Sequence, residues 1–177
     1  MVAVLVALAI IAWLWGPSPP GPRAATAAGE AAVVRVVDGD TLVVALSDGR
    51  EETVRLIGID TPESVAPDRP VECYGAEASE RLASLLPAGT TVRLTRDVEP
   101  RDVYDRLLAY VERVPDGLFV NAAQVAAGYA EAKHYPPNTA YRDRFDRAEL
   151  AARQARLGLW SACGSADVAL SAPQRPP

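Results

Sequence analysis

The chain has 177 residues, enough for one domain with tails, and a hydrophobic fraction of 49% that allows a real core. Acidic residues outnumber basic ones, 23 to 18, for a net charge of −5. That balance argues against broad, non-specific adhesion to a phosphate backbone, so any nucleic-acid contact must rest on a local cationic site or a bound metal. The basic residues are nearly all arginine, Lys133 being the only lysine, and arginine suits bidentate phosphate contacts.

Val2 to Trp15 is an unbroken apolar run. As a helix it would span about 21 Å, short of the ~30 Å hydrocarbon core, and it matches the h-region of an export signal better than a full span. Gly16, Pro17, Pro19 and Pro20 end it, and Ala24 to Ala28 offer A-x-A-like cleavage positions. No Lys or Arg precedes the run. Residues 1–30 are therefore read as a signal peptide or as an N-terminal membrane anchor with a Pro/Ala linker. The domain proper is expected over residues 31–164, and residues 165–177 as a disordered tail.

Three β-branched, apolar runs follow: Ala32–Val37, Thr41–Leu46 and Thr53–Ile59. Asp38-Gly39-Asp40 and Ser47-Asp48-Gly49 separate them as tight turns, which predicts a three-strand meander. Pro62–Pro70 is a loop. Tyr74–Leu86 carries Ala78, Leu82, Leu85 and Leu86 at helical spacing. Thr91–Thr95 and Arg106–Val114 are the fourth and fifth strands, with a charged loop between them. Asn121 is placed to cap a short helix to Ala127, which Gly128 stops. Thr139–Leu157 reads as a long helix with Tyr141, Phe145, Ala148 and Ala152 on one stripe, ended by Gly158. This order predicts an α+β fold: a five-stranded antiparallel barrel of the oligonucleotide-binding (OB) type with three helices.

The chemistry concentrates in three segments: Asp38 to Thr41, Arg55 to Glu63, and Tyr104-Asp105-Arg106. Asp40, Asp60 and Glu63 are hard oxygen ligands of the kind Ca²⁺ takes. His134 is the only histidine and no Cys/His cluster exists, which argues against zinc. Asp38 alone reads as a turn residue. Arg55 in an apolar strand and Arg106 at a strand entry are either structural ion-pair partners or stabilisers of charge on a phosphoryl group. Arg55 and Asp60 lie an odd number of positions apart, so a bend near Gly58 is required to bring them into one site. Cys73 and Cys163 are either an exported protein's disulfide or two unrelated thiols. A bridge would close a loop of about 90 residues, with a chain-entropy ceiling of roughly 4–5 kcal/mol.

The segments Asp-Gly-Asp-Thr and Arg-Leu-x-Gly-Ile-Asp-Thr-Pro-Glu within Val34–Glu63 resemble the staphylococcal nuclease (thermonuclease) family. Tyr74-Gly75-x-Glu77-Ala78, Asp102-x-Tyr104-x-Arg106-x-Leu108-Ala109-Tyr110-Val111, Val120-Asn121, Gly128-Tyr129-Ala130 and Tyr135-x-Pro137-Asn138 extend the resemblance across about Ala32 to Ser161. It implies a Ca²⁺-dependent nuclease acting on DNA and RNA, with 3′-phosphate products, secreted or tethered outside the cytoplasmic membrane, and monomeric. Asp40, Asp60 and the Thr61 carbonyl would hold calcium. Glu63 would serve the attacking water. Arg55 and Arg106 would bind the scissile phosphate, and Tyr104 and Tyr135 would flank the nucleotide or simply pack. The chain departs from the family pattern at Asp105, where the family has Gly, in the loop with Asp68 and Arg69 where the family is lysine-rich, and at Lys133 near a family tyrosine. The rival readings are a catalytically weak nucleic-acid-binding OB module of the cell envelope and a structural or adhesion module.

Overall fold

The computed structural model describes residues 26–64 and 71–170. The apolar run, its Pro-rich linker, Asp68 and Arg69, and residues 171–177 lie outside that range, and with them the signal, anchor and distal-tail readings.

Five strands form a closed barrel. β1 (Thr26–Val36) pairs antiparallel with β2 (Thr41–Leu46), and β2 pairs with β3 (Glu51–Leu56). On its other edge β1 pairs with β5 (Thr91–Arg96), and β5 with β6 (Leu107–Arg113), all antiparallel. The seam is a parallel β3–β6 pairing, with Val54 opposite Leu107, Arg55 opposite Leu108 and Leu56 opposite Ala109. Directions that alternate around a closed ring require an even number of strands. Five strands must therefore leave one parallel pair, and the expected all-antiparallel barrel is corrected at that seam. Period-two side chains, among them Val33, Leu42, Val44, Val54, Leu56, Val92, Leu94, Ala109 and Val111, fill the core. Burying one such Val or Leu contributes about 1.5–3 kcal/mol.

The predicted third strand is interrupted. It stops at Leu56, turns through Ile57-Gly58, and resumes as β4 (Ile59–Asp60), which pairs with the two-residue β8 (Glu131–Ala132). Gly58 has φ 81°, and a Cβ there would lie 2.3 Å from the Phe145 ring. Only glycine meets both conditions, and the bend required by the Arg55–Asp60 spacing is found there.

α1 (Gly75–Leu85) buries Gly75, Ala78, Leu82 and Leu85 on one stripe. β7 (Leu118–Phe119) leads into α2 (Val120–Ala126), whose N-cap residue is Phe119 and not Asn121. Asn121 is instead fully buried inside the helix. α3 (Arg142–Gln154) is shorter than expected at both ends. Its C-terminus closes at Arg156, with φ 52°, through hydrogen bonds from Arg156 N to Arg153 O and from Leu157 N to Ala152 O. That is the Schellman pattern with arginine at the position glycine usually fills, so the sequence carried no stop signal there. A fourth, four-residue helix, α4 (Leu159–Ala162), follows Gly158.

Backbone pairing extends beyond residues 31–164 at both ends. Residues 26–30 pair with β5, with a bulge between Ala27 and Gly29 (φ 121° at Gly29) that shifts the register, so the small residues read as linker belong to β1. At the other end, residues 165–170 are not free tail: Ala166 is buried and Ala169 bridges Glu72. Cys73 and Cys163 are bonded, with Cα atoms 6.0 Å apart. They sit beside a second small cluster of Ala152, Leu159 and Trp160.

Gly58→Ala is expected to lower stability by about 2–4 kcal/mol, from the left-handed φ and the Phe145 overlap together. Urea unfolding checks it; a midpoint close to wild type would contradict this account of the turn.

Candidate active site

The Asp38–Asp40 turn aims one carboxylate inward. Asp38 Oδ1 accepts the Asp40 N–H at 3.0 Å, which leaves the Asp40 side chain free to point away from solvent, where it is 5% exposed. Its Oδ1 accepts the Thr41 hydroxyl, and its Oδ2 accepts both the N–H and the hydroxyl of Thr61 at 3.1 Å. The turn is packed so closely that a Cβ on Gly39 would lie 2.7 Å from Thr61 Oγ1.

Arg55 reaches this carboxylate from β3. Its Nη2 lies 3.0 Å from Asp40 Oδ2 and 2.7 Å from Asp60 Oδ1. Its Nη1 donates to the Leu56 and Ile59 carbonyls, at 2.7 and 3.0 Å, across the Ile57-Gly58 turn. One guanidinium therefore holds the turn and draws two carboxylates together. Burial pushes the Asp40 carboxyl up to about 7; Arg55 pulls it back, while Asp38 and Asp60 add to the rise. Lys133 Nζ stands 3.6 Å from the other Asp60 oxygen and 3.4 Å from Glu131.

The second arginine is presented by the β5–β6 loop. Asp102 accepts the Arg106 backbone N–H at 2.9 Å and its Nε at 2.7 Å. Burial alone would raise the Asp102 carboxyl, but the Arg106 hydrogen bonds outweigh it and hold the group below its ordinary range. The Arg106 guanidinium also lies 5.5 Å from the Tyr104 ring centre. Asp105 has φ 63°, which fits a glycine-favouring position, and its side chain is exposed. It pairs with Arg101 and not with Arg106: Arg101 Nη1 donates to the Asp105 carbonyl at 2.6 Å while its fork grips Glu52.

Arg55, Arg106, Tyr104 and Tyr135 line one cleft of about 570 Å³, with Asn138 and Arg101 on its walls. Tyr104 is 78% exposed and Tyr135 59%, so neither is a packing residue of the barrel. Asp40 and Asp60 meet this cleft through Arg55. Glu63 lies just beyond Thr61, its backbone held by Glu72.

Two residues that sequence reasoning missed support the site from α2. The Asn121 side chain donates to the Ile57 carbonyl and accepts the Val111 N–H, both at 2.9 Å. Gln124 donates to the Gly39 carbonyl at 2.9 Å. One braces the Gly58 turn and the other the Asp40 turn. Their signal was visible as two amides three positions apart in an apolar helix, the spacing of one buried face.

A closed five-stranded barrel, with two arginines lining one cleft and a carboxylate pair held by one of them, defines an α+β protein of the OB type. The family described as staphylococcal nuclease homologue matches residues 53–162. The thermonuclease of Staphylococcus intermedius is 40% identical over 161 residues, covering 90% of this chain and 94% of that protein. The thermonuclease of Staphylococcus hyicus is 40% identical over 129 residues, 73% of this chain and 74% of the relative. Endonuclease YncB of Bacillus subtilis (strain 168) is 38% identical over 131 residues, 73% and 61% of the two chains. The chain belongs to the staphylococcal nuclease family.

A carboxyl whose folded pKa lies above its unfolded value stabilises the fold only at low pH and loses that contribution as pH rises through the folded value. Without metal, wild-type stability should therefore fall between the ordinary carboxylate range and about 7 relative to Asp40→Asn, which lacks the group. Thermal melts in chelator across that range check it; parallel pH profiles for the two proteins would contradict the burial argument.

Proposed function

We propose that this chain is an exported, calcium-dependent nuclease that hydrolyses phosphodiester bonds in DNA and RNA. One observation carries the reading: the Arg55 guanidinium, shared by Asp40 and Asp60, lines the same cleft as Arg106. Relatives named thermonuclease and endonuclease support the reaction class.

The residues present suit a hard cation. Asp40 and Asp60 share one guanidinium nitrogen, Lys133 stands 3.6 Å from Asp60, and burial pushes Asp40 towards protonation, which a cation bound beside it would reverse. Among the described residues no three carboxylate, imidazole or thiolate side chains converge on a point. The family resemblance assigns Asp40, Asp60 and the Thr61 carbonyl as donors, with water completing a shell of the kind calcium accepts. Bound there, calcium would lower the charge density of a phosphate oxygen.

The chain's own groups do the rest. Glu63 orients the attacking water or takes its proton. The Asp102 contact uses Nε of Arg106, so its two terminal nitrogens remain to face the charge that builds on phosphorus-bound oxygens. Arg55 faces the same charge, and its Nη2 competes with the cation for the same carboxylate oxygens. Tyr104 and Tyr135, exposed at the cleft mouth, flank the nucleotide. In-line attack opposite the 5′-oxygen gives 3′-phosphate and 5′-hydroxyl ends. The disulfide and the apolar run at residues 2–15 support export, with release or tethering decided by cleavage of that run. We assign a monomer.

Plasmid DNA and a structured RNA should both be cleaved with calcium and left intact with chelator. Binding without cleavage under either condition would favour a nucleic-acid-binding module. Arg106→Ala should lower kcat by about 10²–10³-fold while calcium binding, read by isothermal titration, persists. Asp40→Ala should abolish the calcium heat itself; equal binding by that variant would remove Asp40 from the ligand set.

A further inference from the structure

Glu72 folds the chain back onto Glu63. Its backbone N–H donates to the Glu63 carbonyl at 2.8 Å, and its carboxylate accepts the Glu63 N–H at 2.8 Å. One residue thus grips both backbone polar groups of Glu63. The first residue of α1 lies against the same peptide, since a Cβ on Gly75 would stand 2.6 Å from the Glu63 carbonyl oxygen. The far side of the Glu72 segment is fastened to the C-terminal residues. Cys73 N–H donates to Val168 O at 2.7 Å, Leu170 N–H donates to Val71 O at 3.0 Å, and Glu72 bridges Ala169. The Cys73–Cys163 bond makes that fastening covalent, 90 positions along the chain.

We propose that Glu72 is the positioning residue for Glu63, and that the disulfide with the 168–170 strap sets the rate of the chemical step by fixing Glu72. The proposal rests on the reading of Glu63 as the group that serves the attacking water. Two hydrogen bonds locate the Glu63 peptide only as well as Glu72 is itself located. Without the covalent tie, the backbone hydrogen bonds of residues 71–73 to the strap remain as their fastening among the described residues. A misplacement of about 1 Å at a reacting group costs about 10²-fold in rate. The cleft is lined by other residues, Asp40 and Asp60 are held by Arg55, and Thr61 is held by Asp40 through its N–H and hydroxyl, so substrate KM and calcium affinity stay as they are.

The test uses the mature, oxidised protein, its dithiothreitol-reduced form, and the variants Cys73→Ala/Cys163→Ala, Glu72→Ala, Glu72→Gln and Glu63→Gln. Dithiothreitol supplies two electrons and two protons, leaving two thiols and its own cyclic disulfide. Well below the unfolding midpoint and at saturating calcium, reduction and Glu72→Ala should each lower kcat about 10-fold or more with KM unchanged. Glu72→Gln, whose amide oxygen still accepts the Glu63 N–H, should restore most of the rate. In a Glu63→Gln background neither change should lower kcat further. Hydrogen exchange at the Glu63 amide should quicken on reduction and in Glu72→Ala, and this readout decides the matter if the cysteine-free protein does not fold. Full kcat in both the reduced protein and Glu72→Ala, while Glu63→Gln is impaired, would overturn the proposal and leave the role of Glu63 standing. Wild-type turnover in Glu63→Gln would remove that role, and with it the proposal.

Discussion

The guanidinium of Arg55 lies between Asp40 and Asp60, mostly out of solvent, and spans the turn between β3 and β4. Three charges in so dry a place are tolerable only because each is met. Four acceptors receive the two terminal nitrogens of Arg55, and Asp40 is met further by the N–H and hydroxyl of Thr61 and the hydroxyl of Thr41. Removing one partner of such a buried set costs about 3–5 kcal/mol. Burial still pushes Asp40 towards protonation, so a positive charge beside it would stabilise the carboxylate form.

The barrel provides the geometry for this contact. The parallel β3–β6 seam sets Arg55 directly opposite Leu108, two residues into the strand that follows Arg106, so both arginines reach one cleft from adjacent strands. α2 then acts as a buried splint: Asn121 holds the turn after Arg55 and Gln124 the turn before Asp40. The Asp102 and Glu52 carboxylates perform the same service for Arg106 and Arg101 at the rim. Among the described residues, eight of fourteen arginines pair with carboxylates, so the cationic surface left over is local.

The barrel strands, the α1 stripe and the Gly58 bend were legible because period-two and helical burial, together with the Arg55–Asp60 parity, leave local marks. The residues that the cleft gathers, Arg55, Tyr104, Arg106 and Tyr135, were legible as motifs. What was hidden depended on partners far along the chain. Two-residue strands such as Ile59–Asp60 with Glu131–Ala132 have no periodicity to read. Thr26–Glu30 looked like linker because small residues have no pattern of their own and take their register from β5. The Arg156 stop lacks the glycine that would mark it, and the grip of Glu72 on Glu63 is set by a tertiary contact. The parallel seam follows from strand number, which becomes decisive only once closure is known.

Under the proposed function, Arg55 and a cation share one pair of carboxylates, and both act on the phosphate. Calcium titration and cleavage kinetics on Arg55→Gln, compared with wild type, test it most directly. Removing the positive charge should leave calcium affinity equal or higher and lower kcat by about 10²–10³-fold. Cleavage within a few-fold of wild type, or loss of calcium binding in a folded variant, would contradict it.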